Sequence, residues 1–372
     1  MPARLTTDEL ARDLALRDLS DPAAGPHAIQ LVMNHAVGAL AALWECEVRW
    51  WRGDRIVTIA DNYDNLGYDS ADVTREARYT RYVDDRRVLR SHSSAMIPAA
   101  LRALAGDPVD DVLLVCPGMV YRRDAIDRLH TGNPHQLDLW RITRRTPPMA
   151  DADLDAMITA LLDALVPGMA DRREARSHPY TLAGRQVDVA RDGDWVEVAE
   201  CGLANPAVLA TAGLDAGWSG SALGMGLDRM LMLLKGIPDI RLLRSADPAV
   251  AAQLTDLDRY RPVSTRPPIR RDISIAVDSE DVAEDLGDRV RDALGDDAGS
   301  VESVEILGET PCAALPAVAL ARLGAREDQK NVLVRVVLRH LDRTLTDHDA
   351  NALRDRIYLA LHQGTAQQWA VP

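Results

Sequence analysis

Apolar residues recur at helical spacing in several stretches of the chain. After Pro26 they run through Ala36, Leu40 and Leu43 at steps of three and four, which predicts a helix opened by the proline. A shorter helical lead-in is expected within residues 1–25, with Thr7 as N-cap ahead of Glu9 and Leu10. Asp151–Leu165 and Asp228–Leu234 carry the same period. Elsewhere the period shortens to two. Residues 46–60 read as strand, Val112–Val115 and Gly118–Arg122 as a strand pair, and Gln136–Ile142, Gln186–Val189 and Trp195–Val198 as further strands. Strands and helices do not alternate regularly along the chain. The expected class is therefore α+β, an antiparallel sheet flanked by helices, rather than a parallel doubly wound sheet.

The pattern is interrupted near Asp256–Pro268, where Pro262, Pro267 and Pro268 sit beside Arg261, Arg266, Arg270 and Arg271. Beyond it the order is strand Asp272–Val277, helix Asp281–Leu294, strands Val301–Leu307 and Asn331–Arg339, and helix Asp347–Gln363. That order predicts a ferredoxin-like α/β sandwich. The expected division is residues 1–255 for the sheet domain, 256–270 for a linker and 271–372 for the sandwich.

Composition narrows the partners. The 372 residues carry a net charge of −14, so a nucleic-acid surface has to be a local basic patch. Arg261–Arg271 is the best candidate, although residues 261–372 are net acidic. Arg75, Arg78 and Arg81 step by three, and on a helix they form one basic stripe, either a solvated face or a docking surface. No apolar run reaches the length of a membrane span, and the start turns polar at once without a signal peptide, so a cytoplasmic protein is expected. The cysteines Cys46, Cys116, Cys201 and Cys312 form no Cys-x-x-Cys pair and read as free thiols.

Two segments about a hundred residues apart carry the candidate chemistry. The first runs Val120-Tyr121-Arg122-Arg123-Asp124, then His130, then His135-Gln136-Leu137-Asp138; the second is Gly224-Met225-Gly226-Leu227-Asp228-Arg229. Guanidinium groups grip phosphate oxygens in planar forks and stay charged at any working pH. Glycines let the backbone approach a flat ligand closely. The Gly-x-Gly is not followed by the third glycine of a dinucleotide loop, which excludes a Rossmann site.

These segments resemble motifs 2 and 3 of class II aminoacyl-tRNA synthetases, in particular the phenylalanyl-tRNA synthetase catalytic subunit. Leu89-Arg90-Ser91-His92-Ser93-Ser94, Trp195-Val196-Glu197-Val198 and Gly236-Ile237-Pro238-Asp239-Ile240-Arg241 extend the likeness in the family's order. Arg261-Pro262-Val263-Ser264 with Arg271-Asp272-Ile273-Ser274, and Asp342-Arg343-Thr344-Leu345-Thr346-Asp347, resemble the family's ferredoxin-fold anticodon-binding domain. The resemblance implies a ligase that joins an amino acid, phenylalanine or a related aromatic, to ATP and passes the acyl group to tRNA. It leaves open a paralogous ligase serving a small molecule, peptide or carrier, and a non-catalytic regulatory relative. A homodimer is possible, with the motif 1 interface placed loosely on the helix after Pro26.

Each residue's role follows from that resemblance. Arg122 and Arg229 would be the catalytic arginines on either side of the nucleotide, with His130, Glu197, Gly224 and Gly226 completing the ATP site. Glu197 would hold Mg²⁺. His92, Ser94, Gln136 and Asp138 would hold the α-ammonium, with Asp138 standing where the family has glutamate. His178, Tyr180 and Ala222 would line the side-chain pocket, where His178-Pro179-Tyr180-Thr181 replaces the family's Phe-Pro-Phe-Thr. Phenylalanine is absent from the whole chain while 8 tyrosines are kept. That absence fits either drift or selection for a chain that can be made when charged phenylalanine tRNA is scarce.

Overall fold

A computed structural model describes residues 4–76, 79–191, 193–263 and 266–367. The chain divides into two units. One comprises Met1–Arg122, Asn133–Ile237 and Gln253–Tyr260; the other comprises Arg123–Gly132, Pro238–Ala252 and Arg261–Pro372. The change-over is thus not one cut within residues 256–270. Two short stretches, 123–132 and 238–252, group with the C-terminal residues.

The first unit opens with α1 (Thr7–Ala15), capped by Thr6 rather than Thr7. The Thr6 hydroxyl accepts from the Glu9 amide while Glu9 reaches back to the Thr6 amide, a reciprocal box that selects the earlier threonine. Helix α2 (Ala28–Trp44) starts two residues after Pro26, with His27 as its cap. There follow β1 (Glu47–Trp50), β2 (Ile56–Thr58), α3 (Ile59–Asn62), β3 (Arg87–Leu89), α4 (Ile97–Leu104), β4 (Asp111–Met119) and β5 (His135–Thr143). Then come α5 (Asp151–Leu165), β6 (Asp171–Ala175), β7 (Thr181–Arg191), β8 (Asp194–Ala204), α6 (Pro206–Thr211), β9 (Ser219–Gly226) and α7 (Leu227–Lys235). The expected pair Val112–Val115 and Gly118–Arg122 is instead one strand, β4, because Pro117 and Gly118 keep pairing with Leu137 and Gln136.

Seven strands form one sheet in the order β1-β4-β5-β9-β8-β7-β6, antiparallel except for the β1–β4 edge. Alternation sorts the residues of its central strands between two faces. Leu113, Val115, Leu137, Leu139, Leu223 and Met225 are buried on one face, the side where α2, α5 and α7 pack. On the other face Leu114, Trp140, Ile142 and Ala222 join Ile97, Leu101 and Leu104 of α4 and Val208 and Leu209 of α6 in a second core. The helices α4 and α6 therefore cover the part of this face around Trp140 and Ile142, while Gln136, Asp138, Gly224 and Gly226 lie further along the same strands.

The basic stripe expected at Arg75, Arg78 and Arg81 does not form. Val73–Arg75 is a single 3-10 turn, Arg75 pairs with Asp64 and lies over the Tyr63 ring, and Arg81 is buried against Asp13. Arg78 lies outside the described residues. Asp72 caps the turn and competes with helix continuation.

The second unit contains α8 (Pro248–Ala251), β10 (Ile269–Asp278), α9 (Ala283–Leu294), β11 (Val301–Pro311), α10 (Ala317–Leu323), β12 (Gln329–Leu338) and α11 (Asp347–Leu361). Its strands form an antiparallel sheet in the order β10-β12-β11. Ile273, Ile275, Val334 and Val336 pack against Leu286 and Val290 of α9 and Leu353 and Ile357 of α11. Residues 123–132 are held in this unit. Ile126 joins the core, its carbonyl accepts from Val304 N at 2.9 Å, and Arg128 Nε donates to Glu302 at 2.7 Å. Arg266 and Arg271 of the expected patch are partly spent on Leu341 O, Asn351 and Asp347. No helix of the described residues is long and apolar enough to cross a membrane. All four cysteines are free thiols; three are buried and Cys46 is half-buried.

Candidate active site

Strand register assembles the floor of the site. Asp138 on β5 lies opposite Gly224 on β9, and Gly224 lies opposite Glu200 on β8. Directly opposed residues project to the same face, so two carboxylates flank one glycine. One step along, Gln136 faces Gly226; one step back, Trp140 faces Ala222, which faces Gly202. The small residues Ala222, Gly224 and Gly226 make a trough between the side chains of β5 and β8. A Cβ on Gly224 would meet only Asp138 Oδ2 at 3.8 Å, and one on Gly226 only Arg229 Cβ at 4.0 Å. The chain's own packing does not require glycine at either place. By contrast a Cβ on Gly202 would fall 2.6 Å from Thr181 Cβ.

Strict alternation puts Glu197 and Glu200, three residues apart, on opposite faces. The register shifts between them: Ala199 pairs with Val187 but Glu197 with Asp188, so Val198 is the extra residue of a β-bulge. The bulge returns Glu197 to the face of Glu200. Burial and the Glu200 charge push the Glu197 carboxyl up. Burial also acts to raise Glu200, but His178, Arg176 and Arg122 outweigh it and hold its carboxyl below the usual range.

Asp138 is buried under the trough's rim. Its Oδ1 accepts from Trp140 Nε1 at 3.1 Å and its Oδ2 from the Ser93 hydroxyl. Burial raises its carboxyl against these hydrogen bonds and against His178. Ser93 N donates to Gln136 Oε1 at 3.1 Å, so the turn Ser93–Met96 is stitched to β5 at both polar positions. His92, just before that turn, stacks on Tyr68 at 5.8 Å and meets the edge of Tyr63 at 6.1 Å. Both of its ring nitrogens are sealed from solvent, with the Asn62 backbone close enough to act on the ring. Burial and the nearby Arg122 charge push its pKa down to about 3, so the ring is neutral.

Arg122 follows β4. Its Nε donates to Ser91 O at 2.9 Å, which fixes the guanidinium plane, and its terminal nitrogens carry no hydrogen bond among the described residues. Arg229, in the first turn of α7, donates from Nη1 to Glu197 O at 3.2 Å and lies 3.8 Å from Glu197 Oε1. Below them His135, fully buried, ties the start of β5 to α7. Its Nδ1 lies 3.0 Å from Asp228, its Nε2 accepts from Leu19 N at 3.0 Å, and Asp228 also takes the His135 amide. His130 belongs to the second unit, where its ring meets Asp127 at 2.8 Å.

At the other end of the trough the turn between β6 and β7 brings in His178 and Tyr180. Tyr180 stacks on Trp140 at 6.0 Å, His178 on Tyr180 at 5.4 Å, and Tyr68 tilts against Tyr180 at 6.2 Å. His178 Nε2 lies 2.9 Å from Glu200 Oε2, and Arg176 Nε donates to Glu200 Oε1 at 3.2 Å.

The structure gathers Arg122, Arg229, Glu197, Gly224, Gly226, His92, Ser94, Gln136, Asp138, His178, Tyr180 and Ala222 in the first unit. Sequence reasoning passed over Ser93, Trp140, Tyr68 and Glu200. Trp140 was within reach, since it lies two residues beyond Asp138 on one strand. Ser93 and Ser94 are equivalent until the turn is built. Glu200 was hidden by the bulge, and Tyr68 arrives on a loop with no local signal.

A large, mainly antiparallel sheet flanked by helices, with this arginine and glycine pattern, matches the core of class II synthetases. The chain belongs to the family described as tRNA synthetases class II core domain (F), whose profile matches residues 13–254. A phenylalanine–tRNA ligase alpha subunit of Prochlorococcus marinus (strain MIT 9313) is 36% identical over 196 residues, 52% of this chain and 56% of that protein. The chloroplastic/mitochondrial phenylalanine–tRNA ligase of Arabidopsis thaliana is 28% identical over 316 residues, 81% of this chain and 68% of that one. The chain thus spans a little over half the length of the first relative. A pyrrolysyl tRNA synthetase from Desulfitobacterium hafniense, PylSc, overlays with a TM-score of 0.45 at 16% identity, over 59% of this chain and 73% of that one.

Proposed function

We propose that this chain activates an amino acid, phenylalanine or a related aromatic, as an aminoacyl-adenylate and transfers the acyl group to tRNA. The observation that carries the reading is Arg122. It is locked by one backbone bond, its terminal nitrogens have no hydrogen-bond partner among the described residues, and its charge is felt by His92 and Glu200. A cation held in place before reaction stabilises charge that grows on a phosphate without paying reorganisation.

In the first step the substrate carboxylate oxygen bonds to the α-phosphorus of ATP while the bond to the leaving pyrophosphate breaks. Arg122 bridges the carboxylate and the α-phosphate. Arg229 closes the nucleotide's other side, and Gly224 and Gly226 let it lie against the strand. The neutral His92 ring, Gln136 and Asp138 surround the α-ammonium, with Ser93 and Trp140 orienting the carboxylate of Asp138. In the second step an RNA hydroxyl attacks the acyl carbon and AMP leaves. Catalysis here is positioning and charge stabilisation, with no covalent protein intermediate.

Class II synthetases in general use ATP and Mg²⁺. Glu197 is a hard-oxygen donor of the kind that, together with phosphate oxygens, would hold Mg²⁺. When bound, the ion neutralises phosphate charge. The C-terminal unit would add an anticodon contact.

ATP–pyrophosphate exchange across all common amino acids tests the activation step, and acylation of tRNA tests the acceptor. Exchange that depends on one aromatic amino acid supports the proposal; no exchange with any amino acid, in protein that binds ATP, refutes it. Exchange without tRNA acylation points to a ligase serving a small molecule, peptide or carrier, which the altered side-chain pocket favours. Light scattering of the purified chain separates a homodimer from a chain that awaits a different subunit, as the word alpha in the relatives' names suggests.

A further inference from the structure

The side-chain end of the trough contains a polar device that the adenylation chemistry does not use. Glu200 rises from the floor beside Gly224, on the face that also carries Asp138. Its carboxylate is held ionised against burial by His178, Arg176 and Arg122. One oxygen takes His178 Nε2 and the other takes Arg176 Nε. A carboxylate accepts only, so His178 donates to it from Nε2, and that bond holds the ring in place. The opposite nitrogen, Nδ1, is left for a ligand, and no group among the described residues hydrogen-bonds to it.

That imidazole is not on the outer surface. Its side chain is only 12% exposed, and it is stacked on Tyr180, which is itself stacked on Trp140. Tyr180 and Tyr68 both have phenols raised by burial, yet both keep some accessible surface, the mark of rings that line a recess. The recess therefore has flat aromatic walls and, in Nδ1, one ring nitrogen without a partner among the described residues. A hydrocarbon ring bound there strips water from Nδ1 and gives nothing in return. A ring that carries an O–H satisfies it. Sites built to hydrogen-bond a substrate hydroxyl reject the analogue that lacks it far more strongly than apolar pockets reject an extra group.

We propose that the His178–Glu200 pair is a specificity element, and that this site prefers an aromatic amino acid whose ring bears a hydroxyl, a phenol, over plain phenylalanine. This rests on the adenylation reading and names its substrate class. His178 touches the substrate; Glu200 acts through His178 by holding its ring in place.

The experiment is pyrophosphate exchange by the full chain with phenylalanine, tyrosine, meta-tyrosine and 3,4-dihydroxyphenylalanine. ATP binding and thermal melting are measured alongside. One of the hydroxylated amino acids is expected to exceed phenylalanine in kcat/KM by at least about tenfold. In His178→Phe the preference falls by about the same factor or inverts, while ATP affinity stays within about twofold. Glu200→Gln, which retains bulk and a hydrogen-bonding oxygen, erodes the same ratio less. The ratio between two amino acids is the readout, so a variant that merely loses folded protein leaves it unmoved. Phenylalanine used as well as or better than every hydroxylated ring overturns the proposal, as does an unchanged ratio in both variants. No exchange with any amino acid removes the adenylation reading and this inference with it, a result distinct from active exchange with the wrong preference.

Discussion

Replacing His92 with phenylalanine tests how the site's burial is balanced. In the native chain the ring is neutral because burial and Arg122 hold its pKa near 3, whereas an unfolded histidine titrates near 6.5. A histidine depressed in the fold adds nothing to the pH dependence above 6.5. As pH falls below 6.5 the unfolded chain takes up a proton that the folded chain refuses, and stability is lost until the folded pKa is reached. At 1.36 kcal/mol per pH unit, the loss attributable to His92 is about 2 kcal/mol by pH 5. Phenylalanine keeps the stack on Tyr68 and removes the titration, at the loss of the ring's contact with the Asn62 backbone. His92→Phe is therefore expected to lose about 2 kcal/mol less than the native chain between pH 7 and pH 5. Urea unfolding followed by tryptophan fluorescence measures this in the right part of the molecule, because six of the seven tryptophans belong to the first unit. Parallel loss of stability in native protein and variant over that pH range would refute the argument. The same substitution should raise the amino-acid KM, since a neutral acceptor near the α-ammonium is gone.

Three further outcomes follow from the geometry. Arg122→Lys keeps the charge but loses the fork that bonds Ser91 O and bridges two oxygens, so exchange kcat should fall about 100-fold or more; a drop of under fivefold would remove Arg122 from the reacting atoms. Ser93→Ala deletes one of the three side-chain hydrogen bonds, from Ser93, Ser94 and Trp140, that oppose the raised pKa of Asp138. The carboxyl should move further up, so the pH below which the amino-acid KM rises should shift upward relative to the native protein, an effect read from a KM–pH profile. Gly202→Ala should destabilise by about 1–3 kcal/mol through its clash with Thr181, while Gly224→Ala, with only a 3.8 Å contact, should melt normally yet weaken ligand binding. Melting and ATP-binding curves of the pair check this, and equal melting losses would count against a ligand-facing Gly224.

Local patterning determined a good deal. Apolar spacing located α2, α5 and α7 to within a few residues, because a helix buries one stripe whatever lies opposite. Alternation along the strand expected at Gln136–Ile142 puts Gln136 and Asp138 on one face, whereas the strand that carries Ala222, Gly224 and Gly226 was not expected from the pattern. The resemblance read from Arg122 and Arg229 led to the family. Tertiary structure decided what depends on a neighbouring strand or a distant loop. Register put Asp138 and Glu200 on either side of Gly224, and a single extra residue at Val198 turned Glu197 to the same face, a change invisible to a period-two reading. Tyr68 and His178 joined the site only when loops far apart in sequence closed over it. The stripe at Arg75 and Arg81 dissolved because Asp72, Asp64 and Asp13 offered those residues better partners than a helix face. Residues 123–132 joined the second unit because Ile126 found its core there. Periodicity records which face of an element is buried; which elements meet, and in what register, is settled by long-range packing alone.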